Sequence, residues 1–418
     1  MKRIAILTII LACAVCPAQA DLVAEIAGLI PGAPHSYAEM MTAMQELHGT
    51  ERVHCSSIGT TRQGRHIAMA VVADPEHDPR RLRKLLVLAR QHGNETSGTE
   101  AALAVMKHLA TSEGRAERAL LRNVALLIVP MVNPDGAERS LRRNSAGVDL
   151  NRDWVARTQP ETQAVERTFR EWQADAVIDL HELPASSSKA AYRENFVETI
   201  ASHSALPALL GERCGRTSAQ ISVWMKRYGI PLNVYYDTPG DDTRLAHRHF
   251  GLNHLVPSYL FEAKTGRGRT LRQRATYHIL GTLVVANQLA YHHGGKVRPI
   301  EVAEAPAEDA EADPDPAAEP EITRVMLGDP TPDTRREGRT LLWAEIESCE
   351  EFAYLTFEVD GQTVVMTNQA PWEYSLDTAA CREGEVEVAA RAYDASGRCI
   401  ATDSRTMTLA RPGATMGE

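Results

Sequence analysis

Four short apolar runs fix what the first two thirds of this chain can fold into. They are Leu85-Leu86-Val87-Leu88-Ala89, Val124-Ala125-Leu126-Leu127-Ile128-Val129-Pro130, Ala176-Val177-Ile178-Asp179-Leu180 and Ser258-Tyr259-Leu260-Phe261. Each is short, apolar and bounded by polar turns, so each reads as a buried strand. Between and after them lie segments of helical spacing: Thr99 to Leu109, Glu161 to Trp172 and Arg272 to Tyr291. Strands alternating with helices predict an α/β fold with a mixed, mostly parallel sheet flanked by helices. Ahead of them, Ser36 to Leu47 predicts a helix that Ser36 caps. Ser56 to Ala73 predicts a hairpin turning at Gln63-Gly64-Arg65. Sheets of this kind bind ligands beyond the carboxyl ends of their strands. Three of the runs lead into His92, His181 and Glu262.

The chain of 418 residues is too long for one average domain. Lys2 and Arg3, the apolar stretch Ile4 to Val15 and Ala18-Gln19-Ala20 have the order of a secretory signal peptide cut after Ala20. The apolar stretch is too short for a membrane-spanning helix. The cut removes two basic residues and no acid, taking the net charge from −10 to −12. Such acidity argues against nucleic acid or an anionic membrane as the main partner, and the leader's order points to an exported, periplasmic or secreted, protein. Of the cysteines left, Cys55, Cys214, Cys349, Cys381 and Cys399, none form C-x-x-C, so cysteine-based metal binding has no support.

Glu301 to Glu321 is mostly Ala, Glu, Asp and Pro and has no aromatic residue. It reads as an acidic, semi-extended linker. Beyond it come short β-rich runs, Leu341 to Ile346, Tyr354 to Val359, Thr363 to Met366, Val386 to Tyr393 and Thr406 to Leu409, with turns between them. They predict a small all-β sandwich. The expected organisation is a signal peptide 1–20, a catalytic domain 21–298, a linker 299–322, a β-sandwich 323–412 and a tail 413–418.

His92-Gly93-Asn94-Glu95 puts an imidazole and a carboxylate three residues apart at a strand-to-helix junction. That spacing lets both point at one cation. No H-E-x-x-H helix exists, because Leu183-Pro184-Ala185 follows His181-Glu182. Two His plus one Glu with an open position for water is a recognised catalytic zinc set.

From about Ser36 to Tyr291 the chain resembles a zinc carboxypeptidase of the carboxypeptidase A type, the M14 family. The resemblance rests on His92-Gly93-Asn94-Glu95, Asn133-Pro134-Asp135-Gly136, Gly147-Val148-Asp149-Leu150-Asn151-Arg152-Asp153, Asp179-Leu180-His181 and Phe261-Glu262, in family order. It implies that His92, Glu95 and His181 hold one Zn²⁺ per chain, that Glu262 is the general base, and that Asp149 orients His92. It implies that Asn151 and Arg152 clamp the free carboxylate of a peptide substrate, and that an Arg stabilises the oxyanion. Arg142, two residues before Asn144, is favoured for that role, with Arg143 the alternative. Tyr235 and Tyr236 fall in the region of the family's substrate-contacting Tyr. The segments Phe357 to Gly361 and Ala392 to Gly397 resemble bacterial immunoglobulin-like domains, a resemblance that implies the fold alone; a cell-surface or protein partner is a separate expectation for the β-sandwich.

Two departures bear on substrate class: Asp153-Trp154 follows Asn151-Arg152, and Glu182-Leu183 follows His181. The expected activity is removal of C-terminal residues from peptides. A zinc amidase or deacylase of the same superfamily, acting on N-acyl amino acids or cell-wall peptides, is the second reading. A binding or adhesion protein with a vestigial zinc site is the third. The basic run Arg244, His247, Arg248 and His249 is read as a solvated helix face or as a positive pocket wall. His249 and His254 belong to no motif. A bland alternative for Glu262 is a buried acid paired to Arg267 or Arg269.

Overall fold

The computed structural model describes residues 17–291, except 187–193, 202, 204–205, 237–241 and 267. Beyond residue 291 it describes 324–327, 336–337, 339–347, 352–368, 372–378, 381–395 and 397–410. The expected linker and tail lie outside the described residues. So does most of the expected signal peptide, whose cut after Ala20 falls within the first helix. No helix among the described residues is long and apolar enough to cross a membrane.

Helices α1 (Pro17–Gly28) and α2 (Tyr37–His48) precede the hairpin of β1 (Val53–Thr60) and β2 (His66–Val72). Then come β3 (Arg83–Ala89), α3 (Ser97–Thr111), α4 (Arg115–Leu121), β4 (Val124–Val129), α5 (Pro134–Glu138), α6 (Pro160–Trp172) and β5 (Ala176–Leu183). The next elements are β6 (Asn195–Thr199), α7 (Ala208–Arg227), β7 (Leu232–Tyr236), α8 (Ala246–Arg248), β8 (Ser258–Lys264) and α9 (Leu271–Tyr291). The later strands are β9 (Arg324–Leu327), β10 (Arg336–Glu337), β11 (Arg339–Glu347), β12 (Phe352–Val359), β13 (Gln362–Thr367), β14 (Glu373–Asp377), β15 (Gly384–Asp394) and β16 (Cys399–Ala410).

Local chemistry explains the first elements. Ser36 accepts the Glu39 N–H and the Glu39 carboxylate accepts the Ser36 N–H, a reciprocal cap that starts α2. Met40, Met44 and Leu47 then bury one face of that helix. Gly64, at φ +77°, supplies the left-handed turn of the hairpin. In β3, Leu85, Val87 and Ala89 enter the core shared with α3 and α9, while Leu86 and Leu88 enter the core shared with α6. Period-two side chains thus fill both faces of the sheet, and each fully buried Leu or Val contributes roughly 1.5–3 kcal/mol. The result is an α/β sheet flanked by helices on both sides.

The order in the large sheet is β1-β2-β4-β3-β5-β8-β6-β7-β13-β12-β15-β16-β10. β4, β3, β5 and β8 are mutually parallel, so their carboxyl ends share one edge. The expectation that strands stop at His181 and Glu262 is corrected: β5 runs to Leu183 and β8 to Lys264. The ladder continues because Glu182 is buried and bonded, and the Lys264 ammonium donates to the Pro184 carbonyl at 2.9 Å.

The C-terminal strands form two β layers. β9 and β11 bring Val325, Leu327, Leu342 and Ala344 against Phe357, Val388 and Ala390 of the large sheet. The pairing of β13 with β7 was not foreseen: it joins these strands antiparallel to the edge of the α/β sheet. Asn368 ties the junction, accepting the Leu232 N–H at 3.1 Å and donating to the Ser222 carbonyl at 3.2 Å. Without β13, β7 would present a bare row of backbone donors and acceptors.

Candidate metal centre

The chain leaves β3 through Arg90, held left-handed at φ 55° with its Nε donating to the Gly93 carbonyl. A turn closed by the Glu95 N–H on the His92 carbonyl, 3.0 Å, then brings the two side chains to one side. Gly93 is required there. A Cβ at that position would lie 2.1 Å from the Gly136 carbonyl carbon, so the two loop motifs meet backbone to backbone. Asn133 fastens the contact by donating to the Gln91 carbonyl and accepting the Gly136 N–H. Asp135 accepts from Thr61, Arg65 and Ser145. The Asn-Pro-Asp-Gly motif is therefore a brace for the loop that carries His92.

His92, Glu95 and His181 converge, with one ligand atom of each within 4.8 Å of the others. His92 Nδ1 is 2.8 Å from Glu95 Oε1, His181 Nδ1 is 2.8 Å from Glu95 Oε2, and the two Nδ1 atoms are 3.0 Å apart. The far nitrogens face acids: His92 Nε2 lies 3.0 Å from Asp149 Oδ1 and His181 Nε2 lies 2.9 Å from Asp179 Oδ2. A carboxylate on each Nε2 keeps a proton there and turns both Nδ1 lone pairs to the same point.

The electrostatics suit a cation. Burial would raise the Glu95 carboxyl, yet the facing His92 and His181 hold it well below the usual range. Burial would also raise Asp149, but its hydrogen bond to His92 and the charges of His92, Arg142 and Arg152 keep it low. Burial would lower His181, but Asp179 and Glu95 pull it strongly toward its charged form. Two imidazole nitrogens and a buried carboxylate converging on one point fit zinc.

Glu262 is the Cα partner of His181 across the parallel β5–β8 ladder, so both side chains emerge on one face. Its Oε2 is buried and has no hydrogen-bond partner. Burial, with Glu95 and Asp179 nearby, lifts the carboxyl to about 8 against the opposing pull of His181. Arg269 instead pairs with Glu194. Arg267 lies outside the described residues.

Arg142 and Arg143 diverge. The Arg142 guanidinium reaches Glu95 at 3.3 Å and Asp149 at 3.1 Å, with its side chain 45% exposed at the mouth of the site. Arg143 turns away and donates to the Gly147 carbonyl. The Asn151 amide is buried. Its Nδ2 is 3.3 Å from His181 Nε2 and its oxygen accepts the Ala246 N–H at 2.8 Å. Arg152 is exposed and donates to its neighbour's carbonyl. Tyr235 does not enter this group; it packs on Phe196 and Tyr374, and the side chain of Tyr236 lies outside the described residues.

The sequence reading assigned Asp179 no role. Its signal is the two-residue step to His181, which puts both on one face of β5. Neither Gln91 nor Trp154 was assigned a place in the centre. Trp154 Nε1–H donates to Gln91 Oε1 at 3.0 Å, and Gln91 Nε2 donates to Asp179 Oδ1 at 2.7 Å. The two departures from the family pattern are structural as well. Asp153 accepts from Thr158, Gln159 and Thr162 ahead of and within α6, and Glu182 accepts from the Ser97 N–H and Arg274. The basic run faces acids: Arg244 meets Asp242, His247 and Arg248 meet Glu198, and His249 meets Glu166.

Residues 37–210 match the family model described as zinc carboxypeptidase. One stretch is 31% identical over 94 residues to carboxypeptidase 2 of Trichophyton tonsurans, covering 22% of this chain and 17% of that protein. Another is 28% identical over 146 residues to carboxypeptidase D of Homo sapiens, covering 31% of this chain and 11% of that protein. The chain thus spans less than a fifth of the length of these curated relatives. The metallo-carboxypeptidase from Burkholderia cenocepacia superposes with a TM-score of 0.52 at 22% identity, over 61% of this chain and 70% of that one. Carboxypeptidase A from Helicoverpa armigera gives 0.51 at 17% identity, over 66% and 81%. These structural likenesses show the fold. The matched family is one of zinc peptidases, and zinc is the cofactor that this donor set calls for.

Proposed function

We propose that the protein is a metallocarboxypeptidase that hydrolyses the C-terminal peptide bond of peptides, with His92, Glu95 and His181 as its zinc ligands. One observation carries the reading. Glu262 places a buried carboxylate oxygen with no hydrogen-bond partner on the strand beside His181, one ladder position across. A metal-binding scaffold has no need of such a base. Zinc, when bound, supplies a Lewis acid that polarises a carbonyl and brings the pKa of water to roughly 7.

The chain's own residues do the rest. Asp149 and Asp179 hold the imidazoles in the tautomer that presents Nδ1. Glu262 takes the proton of the attacking water and passes it to the nitrogen of the departing amino acid, so that proton and amine balance. Arg142 stands where negative charge collects on the attacked carbonyl oxygen, and stabilises it. Arg152 binds the terminal carboxylate through its planar fork of donors.

The test is incubation of the purified protein with free and C-terminally amidated peptides, with and without a chelator. Chelator-sensitive loss of terminal residues from the free peptides alone is expected. Equal release from amidated peptides would sink the clamp.

One observation favours the second reading, an amidase or deacylase. The Asn151 amide is buried against His181 with its oxygen taken by the Ala246 N–H, which leaves Arg152 as the terminal-carboxylate contact. Cleavage of N-acyl amino acids in the same assay would identify that activity. Export after cleavage at Ala20, the domain limits read from the sequence, and an immunoglobulin-like C-terminal unit with a surface or protein partner belong to the same proposal. Sequencing the mature N-terminus tests the first of these.

A further inference from the structure

A second group of ligating side chains lies outside every motif, and two of its three members, His249 and His254, lie beyond the matched residues 37–210. Glu166 projects from α6. His249 and His254 flank the π-helical turn His249–Asn253 that follows α8. One ligand atom from each of the three lies within 4.8 Å of the others. His249 Nε2 is 2.8 Å from Glu166 Oε2, and His254 Nε2 is 3.2 Å from Glu166 Oε1. The rings are 5.1 Å apart and nearly perpendicular, so their edges converge on one carboxylate.

Ion pairing alone does not account for this arrangement. Arg170 already neutralises Glu166, with its Nε 2.6 Å from Oε1. Two further imidazoles gather on the same acid, one of them almost fully buried. The buried His254 Nε2 makes no hydrogen bond of acceptable geometry. Asn253 Nδ2 stands 3.0 Å from His249 Nδ1. An amide with its oxygen turned to that nitrogen would hold Nδ1–H and free the Nε2 lone pair. Packing fixes both rings: His249 stacks on Trp154 at 5.9 Å and His254 lies 4.7 Å from Phe169. The Arg170 side chain is 61% exposed and can leave Oε1 for water at little cost.

We propose that Glu166, His249 and His254 form a second divalent-cation site of zinc class, separate from the His92–Glu95–His181 centre. Two imidazole nitrogens and one carboxylate oxygen at these separations suit an ion with ligand bonds of about 2.0–2.2 Å. His254 is partly exposed, which gives the ion an entry. Once bound, the ion cross-links α6 to the turn that follows α8. The same α8 segment donates the Ala246 N–H to Asn151, so the link stiffens one wall of the first centre.

The experiment is zinc titration of the metal-stripped full-length protein by equilibrium dialysis at micromolar free zinc. Metal content per chain and the melting temperature are read at each step. Wild type is expected to take up two ions, and His254→Ala and Glu166→Gln one each. The second equivalent should raise the melting temperature of wild type and leave both variants unchanged. A wild-type content of one, or a content of two that persists in both variants, overturns the proposal. Neither reading depends on peptide hydrolysis, so the result stands apart from the assay of the first centre.

Discussion

Asp179→Asn is the sharpest perturbation the centre offers, because a chain of fixed polarity ends on it. Trp154 Nε1–H can only donate, so Gln91 must present its oxygen to Trp154 and its amide N–H to Asp179. Asp179, fully buried, accepts on both oxygens, from Gln91 at 2.7 Å and from His181 Nε2 at 2.9 Å. An Asn offers one acceptor where two are needed. If its NH₂ faces Gln91, two buried donors oppose each other, at about 1–3 kcal/mol. If its NH₂ faces His181, the imidazole must move its proton to Nδ1, the atom aimed at the metal. Both outcomes weaken zinc. Loss of a carboxylate behind a metal-bound His costs roughly 10–100-fold in affinity, or about 1.4–2.8 kcal/mol. The assay is competition for zinc against a chromophoric chelator, with circular dichroism showing that the variant is folded. Trp154→Phe should recover part of the loss in an Asp179→Asn background, because Gln91 is then free to reverse. Wild-type zinc affinity in Asp179→Asn would refute the polarity chain.

Glu262→Gln should keep zinc and lower kcat by roughly 10²–10⁴-fold, the usual worth of a positioned base; retained turnover would remove Glu262 from that role. In the metal-stripped protein the Glu262 carboxyl titrates near 8, above the ordinary 4.5. The folded state therefore holds a proton that the unfolded state has released. That stability is full below about pH 4.5 and is lost as pH rises through about 8. Wild type should lose melting temperature across that window relative to Glu262→Gln, and parallel curves would contradict the burial argument. Arg152→Ala should raise KM for free peptides and reduce the preference over amidated ones, with zinc content unchanged. Gly93→Ala drives a Cβ into the Gly136 backbone, with only 2.1 Å available. It should cost about 1–3 kcal/mol in urea unfolding or more, and wild-type stability would argue against the close contact of the two loops.

The sequence by itself determined the four central strands and the candidate ligands, and for a local reason. Buried strands must be apolar, so β3, β4, β5 and β8 stand out as runs, and three of them, β3, β5 and β8, lead to His92, His181 and Glu262. The three-residue step from His92 to Glu95 needs only one turn to bring both to a cation. Serine at 36 and glutamate at 39 mark the start of α2 just as locally. What the tertiary structure decided depends on partners far away in the chain. Arg142 and Arg143 have the same chemistry, and only the fold turns one to Asp149 and the other to the Gly147 carbonyl. Asp179 needed the Gln91–Trp154 link to show what it holds. The pairing of β13 with β7 left no pattern in either strand, because an edge accepts a partner through its backbone and side chains do not record it. His249 and His254, without motif in the chain, meet Glu166 across more than 80 residues because the packing of α6 on the turn after α8 brings them there.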